Sequence, residues 1–457
     1  MASVVARPLE SGRVTSETEK VDVLILGAGV AGLAAAHALV DTDLDVLVLE
    51  ARERLGGRTF SDRHFAGFPV EFGAEFVHGE RVATWEWIER LGLHTVHWNK
   101  LDDSWVRLAD GRRLLMQEAR AASPAFDLTR SWELPGLPAR QFESFGNYLQ
   151  RSGFDAEQLD YVRRSFANAA GESLRHLDAA SMLDSLAAVE QTGGEDFRIV
   201  EGYAALIEAL GVGVEILIDC PVATVSYDYG IRGEGADGVV VVAADGRRFE
   251  SQLLVSTLPV GVLASGDVEF LPGLPPSKEA ALRGLGMGPV IKLIYRFGEA
   301  LTPPEIKAVY AAGRAPMWWT PSFGHETDAH VWTALVTGDG AVDLLRRGEE
   351  GALDSALESL RRELGRPGLQ PLDATLVDWV SDPYARGGYS HVRPGHRGAR
   401  ESLAEPTPPL LWAGEATAAE RDAATVHGAL QSGVRAAEEV SRLLRPLSYD
   451  GQEVEVS

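Results

Sequence analysis

Residues 21–40 read VDVLILGAGVAGLAAAHALV, and this stretch decides the fold class. Its apolar run Val21–Leu26 predicts a buried strand, which the following glycines break. The Ala- and Leu-rich run Ala31–Val40 predicts a helix, and Val46–Leu49 predicts a second buried strand. A strand, a turn, a helix and another strand form the unit from which parallel sheets are built, so the sequence predicts an α/β fold.

The turn of this unit has the pattern G-x-G-x-x-G at Gly27, Gly29 and Gly32. In a nucleotide-binding unit the first glycine permits the tight turn and the second lets a pyrophosphate approach the backbone. The third allows close packing of the helix on the strand. Glu50 ends the second strand, where a carboxylate accepts hydrogen bonds from ribose hydroxyls. This context favours a dinucleotide site over a glycine-rich turn in an unrelated sheet.

Length and charge narrow the classes of protein. The chain has 457 residues, enough for two or more domains, and a formal net charge of −24. A surface this acidic disfavours binding to nucleic acid and to anionic membranes, and it suits either solubility or cationic partners. The single cysteine, Cys220, permits no intrachain disulfide. We expect a cytoplasmic protein with no transmembrane anchor and no metal site.

Further motifs follow the glycine-rich unit, namely Glu50-x-Arg52 and Gly56-Gly57-Arg58. Together these motifs resemble those of the flavin-dependent amine oxidase family, which includes monoamine oxidases, polyamine oxidases and lysine-specific histone demethylases. More distant members are L-amino-acid oxidases. The resemblance covers about residues 20 to 445. It implies a Rossmann-like FAD-binding domain, assembled from discontinuous segments, with an inserted α+β substrate-binding domain.

The resemblance also implies a set of cofactor-binding residues, in the segments 70–79, 221–225, 256–263, 378–395 and 410–433. The expected set is Gly27, Gly29, Gly32, Glu50, Arg52, Gly57, Arg58, Val222, Thr257, Trp379, Gly414, Glu415, Thr425 and Val426. Monoamine oxidases carry a flavin-linked cysteine where this chain has Gly388. We therefore expect FAD to be bound non-covalently.

Three residues are expected to be catalytic: Lys292, His78 and Tyr389. Lys292 lies in the strand-like run GMGPVIKLIYRF (286–297), where by itself it would be interpreted as a solvent-facing lysine. In the family such a lysine holds a water against the flavin N5. His78 matches a position at the substrate channel of polyamine oxidases, and Tyr389 matches an aromatic residue beside the flavin. Glu75, near His78, is interpreted either as a site residue or as a solvated loop residue.

The predicted domain organisation follows the same resemblance. Residues 20–80, 201–295 and 386–445 are expected to form the FAD-binding domain, and 81–200 with 296–385 the substrate-binding domain. Residues 1–19 are expected to be a disordered leader and 446–457 a tail. The block 81–200 is predicted to be mostly helical. Aromatic residues that either line the pocket or fill a sheet interface are Trp318, Trp319 and Trp332.

The resemblance implies FAD-dependent oxidation of an aliphatic mono-, di- or polyamine by hydride transfer to flavin N5. The imine would hydrolyse to an aldehyde, and O2 would be reduced to H2O2. The acidic surface and the C-terminal motif favour polycationic substrates. Two alternatives stay open: an L-amino-acid oxidase, with Arg386 or Arg393 holding the carboxylate, and a flavoprotein that binds a peptide or partner with little turnover.

Overall fold

The computed structural model describes residues 5–7, 18–100, 102–108, 110–122, 137–228 and 238–445. The predicted tail lies outside the described residues, as does most of the predicted leader. In chain order the strands are β1 (Val5–Arg7), β2 (Glu19–Leu26), β3 (Val46–Leu49), β4 (Ser61–Asp62), β5 (Val70–Glu71), β6 (Phe76–His78), β7 (Thr95–Trp98), β8 (Ser104–Arg107), β9 (Arg113–Leu115), β10 (Asp196–Ile199), β11 (Glu215–Leu217), β12 (Val222–Tyr227), β13 (Val239–Ala243), β14 (Arg248–Ser256), β15 (Glu269–Leu271), β16 (Leu285–Met287), β17 (Val290–Phe297), β18 (Ala308–Tyr310), β19 (Met317–Trp319), β20 (His330–Thr337), β21 (Asp373–Asp378), β22 (Ser390–Val392) and β23 (Leu410–Trp412).

The helices surround and connect these strands. They are α1 (Val30–Leu39), α2 (Thr84–Leu91), α3 (Met116–Ala122), α4 (Phe145–Arg151), α5 (Ala156–Val162), α6 (Ala179–Thr192), α7 (Ala204–Leu210), α8 (Val260–Ser265), α9 (Pro276–Gly284), α10 (Gly338–Leu345), α11 (Gly348–Leu364), α12 (Ala399–Ala404) and α13 (Val426–Leu444). A π-helical turn, Arg163–Ala167, follows α5, and a 3₁₀ turn, Glu415–Thr417, precedes α13.

The larger sheet contains the predicted strand–helix–strand unit. β2 pairs in parallel with β3 and with β14, and β23 pairs in parallel with β14. The α/β prediction is thereby confirmed. α1 and α13 pack against each other on one face of this sheet. The contact is so close that a Cβ atom on Gly433 would lie 2.2 Å from the carbonyl oxygen of Ala31, and glycine is therefore needed at this position.

Residues 1–19 are expected to be a disordered leader, but three of them form a strand at one edge of this sheet. β1, from Val5 to Arg7, pairs in parallel with β11. A short strand can add there because the edge of a sheet leaves backbone donors and acceptors unpaired. Among the described residues no helix is long and apolar enough to cross a membrane.

The second sheet, in the order β21-β17-β20-β19-β18-β8-β9, carries the lysine strand. β17 pairs with β20 and β21 along almost its whole length, so that Lys292 lies opposite Leu335 and Val377. A strand between two neighbours in a covered sheet is buried on both faces. The division into domains stays a prediction, but one predicted boundary, between residues 295 and 296, falls inside β17.

The block 81–200 contains strands as well as the predicted helices. β7 and β10 pair with each other, and β10 pairs also with β6. Strands of three or four residues give too little periodicity to be found in a sequence. The prediction of a mostly helical block therefore missed the strand that carries Asp196.

Candidate active site

A cavity of about 920 Å³ lies where strands of the larger sheet end. Gly27 follows β2, Glu50 follows β3, Thr257 follows β14 and Gly414 follows β23 closely, and all four line the cavity. The carboxyl ends of parallel strands form the usual ligand crevice of an open α/β sheet. Of the site residues predicted from the sequence, the structure brings all but Gly32 to the wall of this one cavity.

The three glycines of the turn differ in what surrounds them. Gly27 has a φ of +99°, and a Cβ there would lie 2.8 Å from the hydroxyl oxygen of Thr257. On Gly32 a Cβ would lie 1.9 Å from the carbonyl oxygen of Gly27, so Gly32 is required for packing of α1 on β2. On Gly29 the nearest atom would be 4.0 Å away, which leaves room for a ligand at this point. This arrangement fits a pyrophosphate at the N-terminus of α1.

Glu50 is buried beside this turn. Its Oε2 accepts from the backbone N–H of Ala28 at 2.7 Å, and its Oε1 accepts from that of Arg52 at 2.9 Å. Burial raises the pKa of Glu50, although these two hydrogen bonds and the Arg52 guanidinium oppose the shift. Because each oxygen keeps a further lone pair, the carboxylate can also accept from ribose hydroxyls.

Two arginines connect distant segments around the cavity. Arg52 forms a bidentate pair with Asp382, at 2.9 and 2.7 Å. Arg58 donates to the carbonyl oxygen of Gly388 at 2.7 Å and to Oε1 of Glu415 at 2.8 Å. Burial alone would raise the pKa of Glu415, but the nearby guanidiniums of Arg58 and Arg400 outweigh it and lower that pKa.

The N-terminus of α13 opens into the same cavity as that of α1. Thr425 is the N-cap of α13, and its hydroxyl oxygen accepts from the backbone N–H of Gly428 at 3.0 Å. Both Thr425 and Val426 line the cavity. A helix N-terminus carries partial positive charge, so two of them favour electronegative groups of a bound cofactor.

Lys292 is buried, with 5% of its surface exposed, and it lines the cavity. Its Nζ donates to the carbonyl oxygen of Glu71 at 2.8 Å and to Oε2 of Glu75 at 3.0 Å. The other oxygen of Glu75 accepts from the indole N–H of Trp319 at 2.9 Å. The interpretations of Lys292 as a solvent-facing lysine and of Glu75 as a solvated loop residue are therefore wrong.

Tyr389 and Trp379 lie on the cavity wall and are held by the backbone. The hydroxyl of Tyr389 donates to the carbonyl oxygen of Ala169 at 2.7 Å, and burial raises the pKa of this phenol. The ring packs on Gly171, where a Cβ would lie 2.4 Å from it. The indole N–H of Trp379 donates to the carbonyl oxygen of Phe72 at 3.0 Å. Both rings are thereby fixed in orientation.

His78 lines the cavity where it is open to solvent, since 53% of this side chain is exposed. Its Nδ1 lies 2.8 Å from Oδ1 of Asp196, and the other oxygen of Asp196 pairs with Nζ of Lys100. Burial alone would raise the pKa of Asp196, but Lys100 and His78 outweigh it and hold that pKa well below its usual range. We call these three side chains the mouth cluster.

The structure also decides between the roles that the sequence left open for three tryptophans and two arginines. Trp319 lines the cavity, whereas Trp318 and Trp332 belong to the core between the second sheet and its helices. Arg386 lines the cavity but pairs with Asp267 at 2.5 Å. Arg393 does not line it and donates to the carbonyl oxygen of Arg283. Neither arginine is therefore a ready ligand for a substrate carboxylate.

Several cavity residues were missed by reasoning from the sequence. Lys100 and Asp196 come from the block 81–200, as do Trp98, Leu177 and Met182. The signal that could have found some of them is the helical spacing of polar and apolar residues on α6, where 181, 182 and 185 share the cavity face. For Asp196 no such signal exists, since its partners come from β6 and from the turn after β7.

The family pattern described as flavin containing amine oxidoreductase matches residues 30–441. The chain belongs to this family. The resemblance stated from the sequence is thus confirmed, and so are its implications of a Rossmann-like fold and an amine-acting oxidoreductase.

Relatives differ in how much of their length the chain spans. The chain is 31% identical over 451 residues to lysine-specific histone demethylase 1 homolog 2 of Oryza sativa subsp. japonica, covering 92% of itself but 56% of that protein. It is 27% identical to polyamine oxidase 4 of the same organism, covering 91% of itself and 88% of that protein.

Solved structures show the same fold. Putrescine oxidase with bound putrescine superposes with a TM-score of 0.75 at 24% identity, covering 93% of this chain and 100% of that one. Cyclohexylamine oxidase from Brevibacterium oxydans IH-35A gives a TM-score of 0.76 at 20% identity, with 93% and 99% coverage. At these identities the comparison establishes the fold alone.

Proposed function

We propose that this amine oxidoreductase family member binds FAD non-covalently and oxidises a small amine with O2 as the acceptor, giving an imine and H2O2. The observation that carries the proposal is the burial of the Lys292 ammonium in the wall of the cavity that the glycine-rich turn and Glu50 also line. Burying an ammonium costs free energy, which other groups have to compensate. A lysine that is buried at the wall of a cavity is therefore a candidate for a functional role. Here Glu75 and the Glu71 carbonyl provide that compensation.

The cavity walls support a non-covalent cofactor. A Cβ on Gly388 would lie 2.3 Å from a methyl carbon of Val290, so the position of the family's flavin-linked cysteine has no room for a side chain. Cys220 lies beside Val222, near Glu50 and therefore at the nucleotide end. Burial raises the pKa of the Cys220 thiol to about 12, which keeps it protonated and unreactive.

Bound flavin supplies the hydride acceptor and returns the electrons to O2. The residues of the chain supply position, dryness and charge. Apolar walls disfavour the ammonium form of the substrate, and the neutral amine is the form that gives up hydride. Lys292 donates hydrogen bonds at the reacting end, and Tyr389, fixed by Ala169 and Gly171, bounds the space for the substrate carbon.

A peroxide-coupled assay of the FAD-loaded enzyme tests the proposal, using monoamines, polyamines and L-amino acids in parallel. We expect peroxide with amines and none with amino acids, since Arg386 pairs with Asp267 and Arg393 lies away from the cavity. Turnover of amino acids alone would favour the L-amino-acid oxidase alternative. A flavin that no substrate reduces would favour a binding module.

A further inference from the structure

We propose that the substrate carries a single ammonium on an apolar body, and that the mouth cluster of His78, Asp196 and Lys100 disfavours a second ammonium. This inference rests on the proposed amine oxidation and narrows its substrate class. It departs from the polycationic substrates that the acidic surface favours, because the net charge of a surface does not determine the charges inside a cavity.

The walls of the cavity near Lys292 are apolar. Side chains of one packed cluster line it, namely Phe76, Trp98, Leu177, Met182, Met317, Trp319 and Leu335. The ring of Phe76 lies 5.1 Å from that of Trp98 and 5.5 Å from that of Trp319, measured between centroids. Such walls favour the burial of a cyclic, aromatic or aliphatic group, because apolar surface is removed from water.

Among the residues that the structure describes, the carboxylates in this part of the cavity are Glu75 and Asp196, and each is already paired with a cation. Both oxygens of Glu75 are engaged, one by Lys292 and one by Trp319. Both oxygens of Asp196 are engaged, one by His78 and one by Lys100. A second substrate ammonium would have to displace one of these partners or stay unpaired in a dry site, and either outcome is costly.

Two of the aromatic rings on the wall already have a cation of the protein over them. Nζ of Lys292 lies 5.3 Å from the ring centroid of Trp319, and Nζ of Lys100 lies 5.5 Å from that of Trp98. At these two rings, cations of the protein hold the positions in which a substrate ammonium would gain a cation–π contact. The Lys100 side chain is 40% exposed, so its charge also faces an incoming dication at the mouth.

Elsewhere along the described cavity wall, the remaining carboxylates have partners too. They are Glu50, Asp178, Asp267, Glu415 and Glu420, and each accepts from backbone N–H groups or pairs with an arginine. An arginine neutralises Asp267, Glu415 and Glu420, whereas Glu50 and Asp178 have both oxygens engaged by backbone N–H groups.

The test compares hexylamine with 1,6-diaminohexane, which have the same chain length and differ in one ammonium. For the FAD-loaded enzyme we expect kcat/KM to be lower for the diamine by about tenfold or more, since its second ammonium meets the like charge of Lys100 near the protein surface, where water screens charges less than in bulk solution. Cyclohexylamine and benzylamine should be turned over at least as well as hexylamine. A diamine as good as hexylamine would overturn the inference and leave amine oxidation intact, whereas peroxide from no amine would overturn the proposed function itself.

Variants then test whether the mouth cluster causes the preference. Lys100→Met removes the charge and keeps the stem, which frees Asp196 to pair with a substrate ammonium. We expect the diamine-to-monoamine ratio of kcat/KM to rise about tenfold. Adding Asp196→Asn to Lys100→Met should return the ratio towards the wild-type value. The ratio is internal to each protein, so loss of folded enzyme cancels.

Lys307→Met is the matched control. Lys307 also pairs with an aspartate, Asp103, at 2.5 Å and also lies over an aromatic ring, that of Phe323, but it does not line the cavity. Its loss should leave the ratio unchanged. If Lys100→Met also leaves the ratio unchanged, the mouth cluster does not act as a charge filter.

Discussion

At the scale of single residues, the environment of Lys292 decides how the site is interpreted. A lysine in the middle of a strand is ordinarily a surface residue that buries its stem. Lys292 is instead buried, with a carboxylate and a carbonyl as partners. Such buried charges with a specific partner are typical of functional sites. The same carboxylate, Glu75, orients Trp319, so one side chain fixes both a cation and an aromatic wall.

Replacing Lys292 by Met should leave FAD bound and slow flavin reduction, reoxidation or both. A hydrogen bond to a charged group contributes about 1.5–3 kcal/mol, equivalent to about ten- to a hundredfold in rate. Stopped-flow absorbance of the flavin, under anaerobic conditions and then with O2, measures the two half-reactions separately. Wild-type rates in both would show that Lys292 is a structural residue.

Replacing Glu75 by Gln should destabilise the fold and slow turnover. Removing one member of a buried ion pair costs about 3–5 kcal/mol, because the ammonium of Lys292 stays buried without its counter-charge. Glu363→Gln is the control. Glu363 is a buried carboxylate that pairs with Arg107 at 2.9 Å, and it does not line the cavity. Chemical denaturation and peroxide assays should show both variants destabilised but only Glu75→Gln slowed. Equal loss of activity in the two would contradict a specific role for Glu75.

Glu71 should make stability fall as the pH rises. Burial raises its pKa to about 7, against the opposing hydrogen bonds from Tyr203 and Ser61. A raised carboxyl pKa means that the folded state binds the proton more tightly. The stability that protonated Glu71 contributes is therefore complete below about pH 4.5 and is lost as the pH rises through about 7. Glu71→Gln should be more stable than the wild type at pH 8, by about 3 kcal/mol at most. Thermal melts at pH 5 and pH 8 check this, and an equal difference at both would contradict it.

At the scale of elements, packing between α1, β2 and α13 positions the nucleotide end of the cavity. Two helices lie close together because Gly433 lets α13 approach the backbone of α1. Their N-termini consequently open into one cavity. The glycines of the turn serve two purposes, close packing at Gly32 and access for a ligand at Gly29.

Alanine substitutions should separate these two purposes. A Cβ on Gly29 would have its nearest neighbour, the carbonyl oxygen of Gly56, at 4.0 Å, and the φ of −75° is ordinary, so the Gly29→Ala apoprotein should keep its melting temperature while its FAD affinity falls. Gly32→Ala forces a Cβ to 1.9 Å from a backbone oxygen, so it should destabilise the apoprotein itself. Melting curves and flavin fluorescence titrations distinguish the outcomes. A Gly29→Ala protein with wild-type FAD affinity would contradict the assignment of the pyrophosphate to this turn.

At the scale of the whole molecule, the cavity wall is assembled from segments that are far apart in the chain. Arg52 pairs with Asp382, and Arg58 pairs with Glu415. A ligand bound there contacts segments from the first 60 residues and the last 50 described ones at once. Cofactor binding should therefore stabilise the entire fold rather than one element.

Non-covalent FAD should be released by acid precipitation and recovered in the supernatant. Adding FAD to the apoprotein should raise its melting temperature, with a gain of about 2.7 kcal/mol at a hundredfold excess over Kd. Absorbance of the supernatant and melts at several FAD concentrations measure both effects. Flavin that stays with the precipitated protein would show a covalent bond.

The sequence by itself determined the strand–helix–strand unit, the turn of three glycines and the α/β fold. These features follow from local periodicity and backbone geometry, which neighbouring residues determine. Only the tertiary structure decided that Lys292 is buried against Glu75, which lies 217 positions away, and that Trp319 rather than Trp318 faces the cavity. It also decided that Lys100 and His78 neutralise Asp196. The physical reason is that burial and the pairing of charges depend on which distant segments meet, and no local pattern encodes that.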